Sequence, residues 1–203
     1  MWIHGDSTRA VSDLDPVGLP HSIAQPPAML SWRPTLEREI LAGSDVLNVA
    51  IVRPACMYGK NQSAFGLYFG PMLGAAKGNE AKLSIAASKE VMMALVHVDD
   101  CAEGVLAVAN KIDILSGTGV SPVFDFIGCY ENMGVIMDQA AQILGFKGTL
   151  ELAGPGDDMM AQAMCTGVKG DSCRAKSLLG WMPRKKSFVQ ELDIHVKAFL
   201  ASL

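Results

Sequence analysis

Basic charge, paired cysteines and long apolar runs are all scarce in this 203-residue chain. Lys and Arg number 17 against 21 Asp and Glu, a net charge of −4. No basic footprint exists with which to hold a phosphate backbone, so nucleic acid is excluded as an expected partner. The five cysteines (Cys56, Cys101, Cys129, Cys165, Cys173) are odd in number and scattered without a C-x-x-C pair. That argues against a disulfide framework or a zinc site, and for reduced thiols packed as small hydrophobes in a cytosol-like compartment. The segment Met1-Trp2-Ile3-His4-Gly5-Asp6 lacks the basic region and apolar stretch of an export signal. The long uncharged window between Lys60 and Lys77 is broken by Pro71 and falls short of the ~20 apolar residues that a membrane span needs. A soluble, cytoplasmic protein is expected.

What is present is globular: half the residues are apolar and 19% are charged. The length suits one domain with a sizeable core, or one and a half. Trp2-Ile3-His4-Gly5 reads as the tail of a strand, and five prolines between Asp13 and Pro34 (Pro16, Pro20, Pro26, Pro27, Pro34) mark a long loop. Thr35 is expected to cap a helix over Leu36 to Leu41 that ends at Gly43, followed by a buried strand from Val46 to Val52. Further on, the patterns predict a helix over Phe65 to Ala76, a strand over Ala94 to Val98 and a helix over Cys101 to Asn110 with Asp99 or Asp100 as its N-cap. A strand over Pro122 to Gly128, a helix over Asn132 to Leu144, an edge strand at Leu150 and Leu152, and a last helix over Ser187 to Leu200 complete the series. Strands alternate with helices, which implies an α/β fold with crossover connections.

The most informative stretch is Asn48-Val49-Ala50-Ile51-Val52-Arg53-Pro54-Ala55-Cys56-Met57-Tyr58-Gly59, where a buried strand stops at Arg-Pro and opens into a loop. In open α/β sheets, ligands bind in the crevice beyond the carboxyl ends of such strands. Each polar group here also has a plainer reading. Arg53 can pair with an acidic neighbour at the strand end. His97 and Asp99 lack the third ligand of a metal site, which favours a hydrogen-bonded His beside an N-cap Asp. Cys56 has no base placed by the sequence and reads as a packing residue rather than a nucleophile. Gly66, Gly70 and Gly74 read as allowing close helix packing, and the methionine patches (Met92-Met93, Met159-Met160, Met164) as gap-filling core. Gly117-Thr118-Gly119 and Gly154-Pro155-Gly156 lack the strand before and helix after that a phosphate-binding loop requires, so both read as turns.

Three motifs in order, R-P-x-x-x-Y-G from Arg53 to Gly59, V-H-V-D-D-x-A from Val96 to Ala102, and Asp171 to Pro183 ending L-G-W-M-P, resemble the second half of an extended short-chain dehydrogenase/reductase of the NAD-dependent epimerase/dehydratase family. The resemblance implies a partial Rossmann-like doubly wound parallel sheet with a smaller α/β substrate-binding part. Residues 1–120 would be the carboxyl-terminal part of an NAD(P)-binding domain, and 121–203 mainly the substrate-binding part and terminal helix, intertwined with the first. It further implies that Pro54, Ala55, Cys56 and Met57 face the nicotinamide end of NAD or NADP. By the same resemblance Tyr58, Asn61 and His97 would lie toward a small-molecule substrate, and Trp181 would be a packing anchor.

Two parts of the family pattern are missing from these residues. The Gly-rich loop that cradles the pyrophosphate is not among them. The family's catalytic Tyr-x-x-x-Lys is also absent: aligning Glu37 to Leu41 on its helix puts Met29 at the Tyr position and Arg33 at the Lys position. Methionine cannot exchange a proton, and arginine stays a fixed cation. No catalytic residue and no metal ligand is therefore assigned. The expectation is a fragment of an epimerase/dehydratase-like oxidoreductase for a sugar nucleotide or other hydroxyl/carbonyl compound, inactive alone. A non-catalytic binding or sensing module is the alternative. A third reading is a homo-oligomer or subunit that completes its sheet with another chain.

Overall fold

The computed structural model describes residues 2–3, 32–60, 63–115, 122–167 and 170–203, so most of the long loop expected before Pro34 lies outside them. Its first sheet is parallel, with β2 (Ile51–Pro54) between β1 (Trp2–Ile3) and β6 (Val123–Phe126). All of β6 and all of β2 except Arg53 are buried, the continuous apolar pattern of a sheet covered on both faces. The register from Ile51↔Val123 to Pro54↔Phe126 brings the carboxyl ends of both strands out side by side. A second sheet runs β3 (Cys56–Tyr58), β5 (Met92–His97), β7 (Cys129–Asn132), the last pair antiparallel. A third pairs β4 (Lys82–Ile85) with β8 (Thr149–Leu152) in parallel.

The helices are α1 (Arg33–Ala42), α2 (Gly66–Lys77), α3 (Val98–Leu115), α4 (Met133–Ile143), α5 (Met159–Met164) and α6 (Leu192–Leu200). One hydrophobic cluster gathers Phe65, Phe69, Met72, Ile136 and Phe188 between the second sheet and α2, α4 and α6. Another gathers Val52, Phe124, Phe126, Val108 and Trp181 around the first sheet and α3. Trp181 does act as an anchor: it is buried, its ring centroid is 5.0 Å from that of Phe126, and its Nε1–H donates to the Asp100 carbonyl at 2.8 Å. Among the described residues no helix is long and apolar enough to cross a membrane.

Several boundaries differ from the sequence reading. The strand expected from Val46 starts at Ile51, because a 3-10 turn at Gly43–Asp45 leaves Val46 and Leu47 on the surface. Thr35 does not cap α1. The helix starts at Arg33 with Pro34 in its first turn, where a missing N–H leaves no bond unmade, and it closes at Gly43 as expected. The last helix divides into a 3-10 turn, Val189–Glu191, and α6. Strand β7 carries no clear alternation of apolar residues, and pairing rather than pattern makes it a strand, whereas β4 does alternate, with Leu83 and Ile85 turned inward. Of the methionine patches, Met93 and Met164 are core, whereas Met92, Met159 and Met160 are exposed.

The packing role expected for the α2 glycines holds only at Gly66, where a Cβ would touch the Phe199 ring at 3.5 Å. At Gly70 and Gly74 a Cβ would meet nothing within 4 Å. Glycine there only weakens the helix, so Gly74→Ala is expected to stabilise the protein by roughly 0.5–1 kcal/mol. Thermal unfolding followed by circular dichroism checks this, and an unchanged or lowered midpoint would contradict it.

Candidate functional site

The chain leaves the first sheet and enters the second within one residue, which makes the Arg53-to-Gly59 run a switch point between sheets. Pro54 is the last residue of β2, the Ala55 N–H donates to the Phe126 carbonyl at 3.0 Å, and Cys56 opens β3. Pro54 and Ala55 are buried, Cys56 is half-buried, and Met57 is 44% exposed. Only the Cys56 and Met57 side chains of this quartet therefore reach the surface; Pro54 and Ala55 contribute backbone and stiffness. Asn61 and Met29 lie outside the described residues.

Arg53 is held from two elements. Its Nε donates to Glu37 Oε1 at 3.0 Å, its Nη2 meets the other Glu37 oxygen, and its Nη1 lies 3.9 Å from Asp125 Oδ1. The fork-to-fork pairing with the buried Glu37 ties α1 to the strand end, which is the plainer of the two readings of Arg53. Arg33, the residue aligned with the family's lysine, sits in the first turn of α1 with its guanidinium 5.4 Å from the Trp32 ring centroid.

Tyr58 and His97 are paired in register across β3 and β5, and both are buried. The rings meet edge to face with centroids 5.2 Å apart. His97 Nδ1 accepts from the Asp99 N–H at 3.2 Å, which leaves the imidazole proton on Nε2 when the ring is neutral. The contact between His97 and Asp99 does not come from alternation along a strand. The strand ends at His97, α3 begins at Val98, and the turn between them makes the contact. Asp99 points outward to Lys60 Nζ at 3.0 Å, and that hydrogen bond holds its carboxyl below the usual range.

The N-cap role expected for Asp99 or Asp100 is also corrected, since both lie inside the first turn of α3. Asp100 is buried and accepts the backbone N–H groups of Arg184 and Lys185, both at 3.0 Å, clamping the segment that leads to Phe188 and α6. Two further residues of the site escaped the sequence reading. One is Glu37, the partner of Arg53. The other is His195, whose ring stacks on Phe188 at 5.0 Å and meets Tyr58 edge-on at 5.1 Å. The spacing Leu192, His195, Val196, Phe199 put His195 on the apolar face of α6, and that was the signal available.

No tyrosine of the chain is suited to give up its proton near neutral pH. Burial pushes the Tyr58 phenol far above its ordinary value, pushes Tyr68 up to about 12, and raises Tyr130. The chain has three tyrosines, so these are all of them. Among the described residues, no group of three His, Cys, Asp or Glu side chains could hold a metal ion. A hollow of ≈ 540 Å³ opens elsewhere, between the carboxyl ends of α2 and α4 beside Asn79, Glu80 and Lys147, and none of the loop residues lines it.

No protein-family model matches this chain, and no curated protein matches it by sequence. Solved structures do match it in fold. A Tyr-to-Phe mutant of the UDP-glucuronic acid 4-epimerase from Bacillus cereus, solved with a fluorinated UDP-glucuronic acid and NAD, aligns with a TM-score of 0.65 at 16% identity, over 99% of this chain and 62% of that one. The dTDP-glucose 4,6-dehydratase from Bacillus anthracis, solved with NAD, aligns at 0.61 and 17% identity, over 98% and 60%. RMD from Pseudomonas aeruginosa, solved with NADPH, aligns at 0.62 and 14% identity, over 99% and 66%. The chain thus has, over nearly its whole length, the Rossmann-like α/β fold of part of these enzymes. It spans about 62% of the length of the epimerase. The resemblance read from the three motifs and the likeness to these structures agree on a Rossmann-like α/β fold.

Proposed function

We propose that this chain is the carboxyl-terminal part of an extended short-chain dehydrogenase/reductase, an NAD(P)-dependent epimerase/dehydratase-like oxidoreductase for a sugar nucleotide or other hydroxyl/carbonyl compound. The observation that carries the reading is the switch from β2 to β3 at Pro54-Ala55, at the carboxyl end of a parallel sheet matched across the whole chain by NAD- and NADPH-bound enzymes. In this reading Pro54, Ala55, Cys56 and Met57 form the wall beside the nicotinamide, with only the last two offering side chains to it. Tyr58, Asn61 and His97 belong to the substrate side, Tyr58 and His97 by supporting the wall from within. The dinucleotide, when bound, supplies hydride acceptance and return. The pyrophosphate needs backbone N–H groups at a Gly-rich helix start, which these residues do not contain.

Calorimetric titration of the purified chain with NAD⁺ and NADP⁺ is therefore expected to show no saturable heat in the micromolar range. Extending the chain by its upstream reading frame is expected to bring micromolar binding. Micromolar binding by the chain alone would refute the need for a Gly-rich half. An extended protein that carries a Gly-rich strand-turn-helix and still binds neither nucleotide would overturn the family reading.

A second reading, a non-catalytic binding or sensing module on the same scaffold, is favoured by one observation: none of the three tyrosines is followed at the fourth position by lysine, and the register of Glu37 to Leu41 puts Met29 and Arg33 where the family has its Tyr and Lys. If the extended protein binds NAD(P) yet transfers no hydride with any sugar nucleotide tested, that reading replaces the first.

A further inference from the structure

Three rings meet where α6 packs on the end of the Arg53-to-Gly59 run. Tyr58 touches His97 and His195 edge-on at 5.2 and 5.1 Å, and the two imidazole centroids are 6.1 Å apart. Each of the three is more than nine-tenths buried. Among the described residues His195 Nε2 is buried without a hydrogen-bond partner, and the Tyr58 hydroxyl has only the weak Cys129 thiol beside it. Such groups are uncommon in folded proteins and mark places under tension. The backbone is drawn in tightly as well: a Cβ at Gly59 would stand 2.3 Å from His97 Nε2.

His195 also lines a cavity of ≈ 10 Å³ with Gly59, Lys60, Ser63, Gly66 and Phe199. That is about the least space that holds one water. A neutral imidazole fits this setting, whereas an imidazolium needs more hydration than the cavity can supply. We propose that Tyr58, His97 and His195 form an acid-sensitive latch, closed while His195 is neutral, that holds α6 against the Tyr58-Gly59 end of the switch loop and releases both when His195 takes up a proton.

The charged surroundings favour this direction. Toward His195 face His97 from the end of β5, Lys185 from the segment clamped by Asp100, and Glu191 and Asp193 from its own end of the chain. Lys60 lines the cavity from the loop side and is paired with Asp99. Cys129, Asp100 and Glu191 bear on Tyr58. Burial dominates at His195, His97 and Lys185 act with it against the cation, and Glu191 and Asp193 oppose. Glu191 is already held by Lys185 Nζ at 2.8 and 3.0 Å, so its help to an imidazolium is reduced.

The folded-state value of His195 therefore lies below its ordinary 6.5. The unfolded or opened chain binds the proton first, so the latch is fully closed above the ordinary 6.5 and weakens as pH falls from there toward the folded-state value. The proposal concerns the loop's stability and does not depend on the cofactor reading, and its test uses no nucleotide.

Hydrogen exchange corrected for intrinsic rates, read over 54–60 and 192–200 at about pH 7.5 and about pH 5.5, tests it. Protection in both segments is expected to fall up to ~tenfold per pH unit below the unfolded value, and to stop falling in His195→Phe, which keeps the stacking on Phe188 without a titrating nitrogen. Equal protection at both pH values, or an unchanged fall in His195→Phe, would overturn the proposal. Should that variant not fold, the imidazole titration of the unaltered chain by nuclear magnetic resonance decides: a His195 midpoint below 6.5 supports the latch, and one at or above 6.5 refutes it.

Discussion

Asp100→Ala is expected to lower the unfolding free energy by about 3–5 kcal/mol, among the largest effects of any single substitution in the chain. Asp100 is 2% exposed, and its two oxygens take one backbone N–H each, from Arg184 and Lys185. Alanine leaves both donors buried beside a void, and each unmade bond costs roughly 1–3 kcal/mol. The same residue's backbone carbonyl takes the Trp181 Nε1–H, a bond that alanine keeps, so the loss reports the carboxylate clamp itself. Asp100→Asn keeps one acceptor oxygen but presents an amide to the second N–H, and is expected to fall between wild type and alanine. Urea unfolding measures both. A loss under about 1 kcal/mol for Asp100→Ala would show that the clamp does not hold the carboxyl-terminal segment in place.

Gly59→Ala is expected to cost about 2–6 kcal/mol, from two separable causes. Gly59 adopts φ +104°, where an L side chain is strained by roughly 1–3 kcal/mol. The new methyl would also stand 2.3 Å from His97 Nε2, forcing the imidazole or the loop to shift, for a further ~1–3 kcal/mol. Adding His97→Ala in the Gly59→Ala background removes the clash and leaves the strain. The double variant should therefore be more stable than the two single losses summed, by the size of the clash. Strict additivity would mean that the ring and the backbone do not press on each other.

Both predictions fall on residues that the sequence makes conspicuous while hiding their roles. Asp100 follows Asp99 at a helix start, and the pattern invites an N-cap. Its use as a clamp depends on Arg184 and Lys185, more than eighty positions away, and no local rule reaches that far. His97 and Asp99 do touch, though through a strand-to-helix turn rather than along a strand. Glu37 looks like a favourable charge in a helix's first turn, yet it is the buried partner of Arg53. His195 sits at an apolar spacing where a histidine is easily passed over as surface. Strand β7 was illegible because Cys129-Tyr130-Glu131-Asn132 carries no alternation, and only antiparallel pairing with β5 makes it a strand.

The Arg53-to-Gly59 run was legible in outline. A continuous apolar stretch ending in Pro predicts a buried parallel strand and a stiff turn, because both follow from local sterics and burial. The alternation of strands and helices likewise determined the α/β class, and the order of three short motifs implied the Rossmann-like fold that the solved structures share. The sequence alone could not say which side chains of that run look outward and which look in. Tertiary packing decided that Pro54, Ala55 and Tyr58 are inside, that Met57 is outside, and that Tyr58 closes against two histidines from β5 and α6. The reason is physical: strand and turn propensities act over a few residues, whereas burial is set by elements that meet only after the chain has folded.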